Sequence, residues 1–241
     1  MTADHRRELL SHLAGRGAFG FETKRLCDVC AEVTGMTGAG IMLMSGDIPQ
    51  GTVCTTDDLS ALIEQLQYTL GEGPCVDAYN TDFPVAEPDL ANPERPRWIA
   101  FTESAVAAGA GAVFGFPLQV GAVRLGALNL YRDRPGPLTD DQHDDALVMA
   151  DISAAAVLMM QANAPPGKLA AELESGSNFR YVVHQASGMV AVQLETTIAQ
   201  ALIRLRGYAF ANDLPLTEVA EDVVARRLRF AEHMGEQDPG S

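Results

Sequence analysis

The segment Ala164-Pro165-Pro166-Gly167 limits how this chain can fold more than any other feature. Consecutive prolines cannot continue a helix, and the glycine after them releases the backbone. Upstream of the break, strand periods and helix periods are mixed. Downstream, from Phe179 onward, the apolar pattern is helical throughout. A second punctuation mark, Ser175-Gly176-Ser177-Asn178, follows closely. The chain therefore reads as a lead-in helix within residues 1–19, a mixed domain over 20–162, a linker over 163–178, an all-helical domain over 179–230 and a disordered tail over 231–241.

In the mixed part, Leu26, Val29, Cys30 and Val33 recur at helical spacing. Two strands follow, Thr37 to Ser45 and Gly51 to Thr55, then a helix over Leu59 to Leu70 that Asp57 or Asp58 can cap. Asn80 to Arg97 is rich in proline and reads as loop, with a short strand at Phe83 to Ala86. A helix over Trp98 to Ala108 precedes a hairpin of Ala112 to Gln119 and Val123 to Tyr131. A long helix over Leu138 to Gln161 closes the part, capped by Thr139 or Asp140. Hairpins without regular strand–helix–strand alternation predict an α+β fold: an antiparallel sheet with flanking helices. Beyond the linker, three helices are expected, over Arg180 to Gln193, Thr196 to Asn212 and Thr217 to Arg229. They make a small core, so docking on another domain or chain is expected.

Charge and cysteine content bound the function. Asp and Glu number 32 against 17 Lys and Arg, for a net charge of -15. Taken alone, this argues against a nucleic-acid binder. The deficit is uneven: residues 179–230 hold six arginines and five acidic side chains, a net of about +1. The most apolar stretch, Ala146 to Met160, is interrupted by Asp151 and falls short of the ~20 residues of a membrane span. The first residues lack the apolar core of a secretory signal. A cytoplasmic protein, not membrane-bound, with Cys27, Cys30, Cys54 and Cys75 as reduced thiols is the expectation.

Cys27-Asp28-Val29-Cys30 has the spacing of a metal or redox motif, but no second pair or suitably placed histidine accompanies it, and Cys30 continues an apolar stripe. It reads as core. His143 lies among Asp140, Asp141, Asp144 and Asp145, a solvated first turn rather than a metal site. Walker, Gly-x-Ser-x-Gly and His-Glu-x-x-His motifs are missing, and the reading is of a protein that is not an enzyme.

Val183 to Gln193, Ala201, Leu205-Arg206, Ala209 and Leu216 to Val224 resemble the ANTAR domain. That family is a three-helix RNA-binding module of bacterial transcription antiterminators. The small residues Ala186, Gly188, Ala201, Ala209 and Ala220 carry the likeness. Thr69-Leu70-Gly71-Glu72-Gly73-Pro74-Cys75-Val76-Asp77-Ala78, with Asp89-Leu90, Trp98, Ala112 to Leu118 and Leu125 to Tyr131, resembles a GAF domain of the type that precedes ANTAR modules. The resemblance implies a cytoplasmic regulator. Its sensor half takes an unknown small molecule or other signal, with no cofactor identified, and its output half binds paired RNA hairpins of nascent transcripts as a homodimer.

The residues offered for RNA are Arg180, His184, Gln185, Gly188, Arg204, Arg206, Tyr208, Arg226 and Arg227. Arginine forks match phosphate and stack on unpaired bases, and Tyr208 offers a further platform. Plain structural readings stand beside these: Gly188 as a helix-packing site, Tyr208 as a half-buried aromatic, Arg226 and Arg227 as C-terminal dipole partners, and Arg204 and Arg206, two apart, of which at most one faces any given surface. The residues offered for the sensor ligand are Met42, Met44, Cys54, Cys75, Phe114 and Phe116. Cys75 follows a Gly-Glu-Gly-Pro turn, where a helix N-terminus lowers a thiol's pKa. A signal there is expected to reposition the helix Leu138 to Gln161. With a net of only +1, one output domain is expected to bind RNA weakly, and two copies on one transcript to bind usefully. Two other classes stay open. Leu216 to Glu221 resembles the opening of a helix-turn-helix, as in a DNA-binding regulator. Some GAF domains reduce free methionine sulfoxide with cysteines, here Cys54 and Cys75. A scaffold that only dimerises is a weaker reading.

Overall fold

The computed structural model describes residues 23–45, 48–163, 178–212 and 214–230. The lead-in helix, the Pro-Pro-Gly break and the tail beyond Phe230 lie outside them. The chain divides into two compact units, Met1–Leu173 and Glu174–Ser241.

The first unit is built on one antiparallel five-stranded sheet. In chain order its elements are α1 (Thr23–Thr34), β1 (Gly38–Ser45), β2 (Ile48–Thr55), α2 (Asp58–Leu70), α3 (Pro74–Thr81), β3 (Val85–Glu87), α4 (Ile99–Ala107), β4 (Ala112–Val120), β5 (Val123–Arg132) and α5 (Asp140–Asn163). The strand order is β2-β1-β5-β4-β3. Caps expected from sequence are present. Asp57 accepts from the Ser60 N–H at 2.8 Å, and the Thr139 hydroxyl accepts from the Gln142 N–H at 3.2 Å. Helix α3 is an addition to the expected order. Pro74 starts it at a position whose N–H needs no partner.

Alternation along the strands divides the side chains between two layers. Ala39, Ile41, Leu43, Cys54, Phe114, Phe116, Leu128 and Leu130 join Leu26, Val29, Cys30, Met149, Ile152 and Val157 in one buried cluster beneath α1 and α5. The other face carries α2, α3 and α4, where Ile63, Leu90, Trp98, Phe101 and Tyr131 pack with Val113. Helix α5 is long and apolar enough by composition to cross a membrane. Half of its apolar stretch is inside the fold, and it packs on β4, β5 and α1.

The expected set of four reduced thiols is corrected. Cys27 and Cys54 form a disulfide that ties α1 to β2 across 27 residues. Both cysteines lie on the α1/α5 side with their Cα atoms 5.9 Å apart, within bonding reach. Cys30 and Cys75 are free and buried.

The second unit has α6 (Asn178–Gln193), α7 (Ile198–Ala211) and α8 (Leu216–Val224), each in contact with the other two. Val183, Ala186, Val190, Ala201, Leu202, Leu205, Ala209, Leu216, Val219, Ala220 and Val223 are its buried side chains of low exposure. Thr197 and Gln200 form a capping box at the start of α7. The third helix is shorter than expected. It ends at Val224, Arg226 takes a left-handed φ of 61°, and the chain turns back until the Phe230 N–H donates to Gln193 Oε1 at 2.9 Å.

Candidate functional site

On the α2/α3 face of the sheet, β1, β5 and β4 bring Gly40, Asn129 and Gly115 into one cross-strand row. The two glycines make room for what lies above them. A Cβ at Gly40 would sit 2.4 Å from Glu64 Oε1, and one at Gly115 would sit 2.4 Å from the Pro74 carbonyl oxygen. Asn129 thus stands between a carboxylate from α2 and the first turn of α3. Its Nδ2 donates to Glu64 Oε1 at 2.6 Å. The Cys75 N–H donates to Gln67 Oε1 at 2.7 Å.

Glu64, Gln67, Cys75 and Asn129 are all buried. Gln67 Nε2 and Asn129 Oδ1 have no hydrogen-bond partner among the described residues. Buried amide atoms of this kind favour a water or a small polar molecule that fills their capacity. Burial, and then the Glu64 charge, raise the Cys75 thiol well above its ordinary value against the smaller opposing effect of Asn129. The helix N-terminus does not activate it, and the expected lowering is corrected: removal from water outweighs the dipole. Burial likewise pushes the Cys30 thiol to about 12, with the Ser153 hydroxyl opposing.

The Gly71-Glu72-Gly73-Pro74 segment has a structural role at each position. Gly71 is the left-handed C-cap of α2, Glu72 Oε1 accepts from the Phe101 N–H at 2.9 Å, Gly73 lies against Gln67, and Pro74 opens α3. Next to it, Trp98 holds a left-handed backbone at φ 54°, uncommon for an aromatic residue. Its Nε1 donates to Asp77 Oδ2 at 2.9 Å, and the Arg97 guanidinium lies 4.3 Å from its ring centroid.

The six residues offered for a ligand do not share one surface. Met42 and Met44 alternate with Ile41 and Leu43 and so face the same side as Cys75, whereas Cys54, Phe114 and Phe116 belong to the α1/α5 cluster. Phe116 also packs on the His143 ring at 5.6 Å. Cys54 and Cys75 lie on opposite faces, and Cys54 is bonded to Cys27, so they form no reacting thiol pair. Among the described residues no three His, Cys, Asp or Glu side chains come together as a metal site requires. Sequence reasoning missed Glu64, Gln67 and Asn129. Asn129, a lone amide inside the apolar run Leu125 to Tyr131, was the available signal.

In the second unit, Gly188 lies one turn along α6 from His184 and Gln185. A Cβ at Gly188 would meet nothing within 4 Å, so this glycine does not serve helix packing. Arg204 is exposed and Arg206 half-buried on α7. Tyr208 is engaged edge-on by the Phe230 ring at 5.4 Å. Arg226 is exposed, while Arg227 pairs with Asp222 at 2.6 Å. The side chain of Arg180 is outside the described residues.

No protein-family model and no curated protein matches the sequence. Solved structures do resemble it. The GAF domain of a phosphoenolpyruvate-protein phosphotransferase from Coxiella burnetii is 13% identical, covering 66% of this chain and 94% of that one, with a TM-score of 0.49. A domain of a two-component sensor histidine kinase protein from Sinorhizobium meliloti is 23% identical over 57% of this chain and 89% of its own, with a TM-score of 0.47. A type II free methionine-R-sulfoxide reductase from Thermoplasma acidophilum is 14% identical over 56% and 88%, with a TM-score of 0.41.

Proposed function

We propose that the chain is a cytoplasmic, signal-responsive antitermination regulator. In this reading a GAF-like first unit takes a signal and an ANTAR-like second unit binds hairpin RNA of a nascent transcript, as a homodimer and without catalysing a reaction. The observation that carries it is the position of the small residues behind the ANTAR resemblance. Ala186, Ala201, Ala209 and Ala220 are all buried where α6, α7 and α8 meet, while Arg204 of α7 and Arg226 and Arg227 after α8 are exposed.

On the sensor side, the α2/α3 face with Glu64, Gln67, Cys75 and Asn129 is the signal site of this reading. It needs a small, polar ligand, since the amide atoms that would meet it lie in a cluster buried under two helices. How α5 relays the signal is part of the proposal: it packs on β4 and β5, next to the row that holds Asn129.

The test is filter binding of the full chain to a paired-hairpin RNA, to the same RNA with its loops replaced, and to duplex DNA. Saturable binding to the paired hairpin that weakens as salt rises is the expected result. Equal binding to all three, or none, refutes the reading, and preference for the duplex favours a DNA-binding regulator.

A further inference from the structure

Helix α7, like α6, carries arginine and no acidic residue, and it also shows large apolar side chains to solvent. Its sequence, from Ile198 to Ala211, holds two arginines and no acidic residue, in a chain of net charge -15. Ala201, Leu202, Leu205 and Ala209 turn inward. Outward, Ile203 and Phe210 are 64% and 69% exposed. Gly207 lies between them, and a Cβ there would meet nothing within 4 Å. Glycine is a poor helix former. Neither a positive φ nor a close internal neighbour calls for it at this position. It leaves bare backbone between two large apolar side chains, with exposed Arg204 at their flank.

We propose that Ile203, Arg204, Gly207 and Phe210 form the contact face for an unpaired stretch of RNA, with Phe210 as the base-stacking platform. The inference rests on the RNA reading above and assigns its aromatic contact to a residue other than Tyr208, whose ring Phe230 already engages. Charge selects the partner. A face whose exposed charge is Arg204, with no acidic residue on its helix, suits a polyanion, whereas a second copy of the same face would bring Arg204 against Arg204. The exposed ring selects unpaired nucleotides, because bases in a duplex already stack on one another. Gly207 lets the sugar–phosphate backbone come close to the helix, within reach of Arg204.

The experiment is fluorescence anisotropy of a labelled paired-hairpin RNA with the full chain, its variants checked by circular dichroism and sedimentation. Phe210→Ala is expected to lose at least about fivefold in affinity, and Phe210→Trp to retain it. Arg204→Gln is expected to lower the slope of log affinity against log salt by about one. Tyr208→Phe should change affinity by less than about twofold, since its ring contact is kept. If the unaltered chain binds and Phe210→Ala binds equally well, this inference fails while the RNA reading stands. If the unaltered chain binds no RNA, both fall. If Phe210→Ala converts a dimer to monomers and leaves affinity per protomer unchanged, the face belongs to a second copy and the inference is overturned.

Discussion

The two units use glycine in opposite ways. In the sheet unit, a Cβ at Gly38, Gly40, Gly115 or Gly126 would come within 1.9–2.4 Å of another atom of the same unit. Those glycines are notches into which Tyr131, Glu64, the start of α3 and the β1 backbone fit. In the helical unit, Gly188 and Gly207 meet nothing. A glycine that packing requires says little about partners. One that packing does not require costs helix stability, and in the proposal above its use lies with something that approaches from outside. The contrast separates a unit whose strand glycines are consumed by its own fold from one whose helix glycines meet open space.

The largest effect should come from filling an inner notch. Gly126→Val places its Cβ against the Met42 carbonyl oxygen, and the unit is expected to lose about 3 kcal/mol or fail to fold, as read by urea denaturation. A fully stable variant would remove the contrast. Next in size is the disulfide. Cys27→Ser should cost about 2–4 kcal/mol in the first unit, and the variant's stability should then be indifferent to reductant, unlike that of the unaltered chain.

A third, smaller effect depends on pH. Burial pushes the Asp57 carboxyl up, but hydrogen bonds from the Tyr131 hydroxyl and from Ser60 outweigh it and leave it below its ordinary value. A lowered folded-state value means the stabilisation is complete above the unfolded-chain value and lost as pH falls through the folded one. Asp57→Asn should therefore flatten the acid limb of the stability profile and leave the alkaline side near pH 8 unchanged relative to pH 7. The shared hydrogen bond acts the other way on Tyr131: burial, then Asp57, hold its hydroxyl protonated well above the usual range.

The smallest effect sharpens the contrast from the outer side. Gly188→Ala should raise thermal stability by about 0.5–1 kcal/mol, because the added methyl meets open space and alanine is the better helix former. RNA affinity should fall in the same variant. A gain in both would show that nothing approaches this face.

Much of the fold was legible because its signals are local. The caps at Asp57 and Thr139, the Gly121 hairpin and the stripes of the three C-terminal helices all lie within a few residues of what they determine. What was not legible depends on distant pairings. Cys27 and Cys54 carry no spacing rule that joins them. In β4, Ala112, Val113, Phe114 and Phe116 are all buried, so alternation reveals two faces without saying which helices cover each. Phe114, Phe116 and Cys54 were accordingly grouped with Met42 and Cys75, from which the sheet separates them. The third helix was read too long because arginines suit a helix, whereas the left-handed turn at Arg226 and the docking of Phe230 on Tyr208 depend on α7. Phe210 is not marked out by the sequence, because its significance lies in its exposure, which only the packing of α7 decides.

The central claim, that RNA meets the outward face of the second unit and not the sheet unit, is tested most directly by photo-crosslinking. The full chain is irradiated with a paired-hairpin RNA carrying 4-thiouridine in its loops, and the adducts are located by mass spectrometry. Adducts on peptides within residues 182–230, including the one that holds Phe210, are the expected result. Adducts confined to residues 23–163, or a yield no higher than with duplex DNA, would contradict the account.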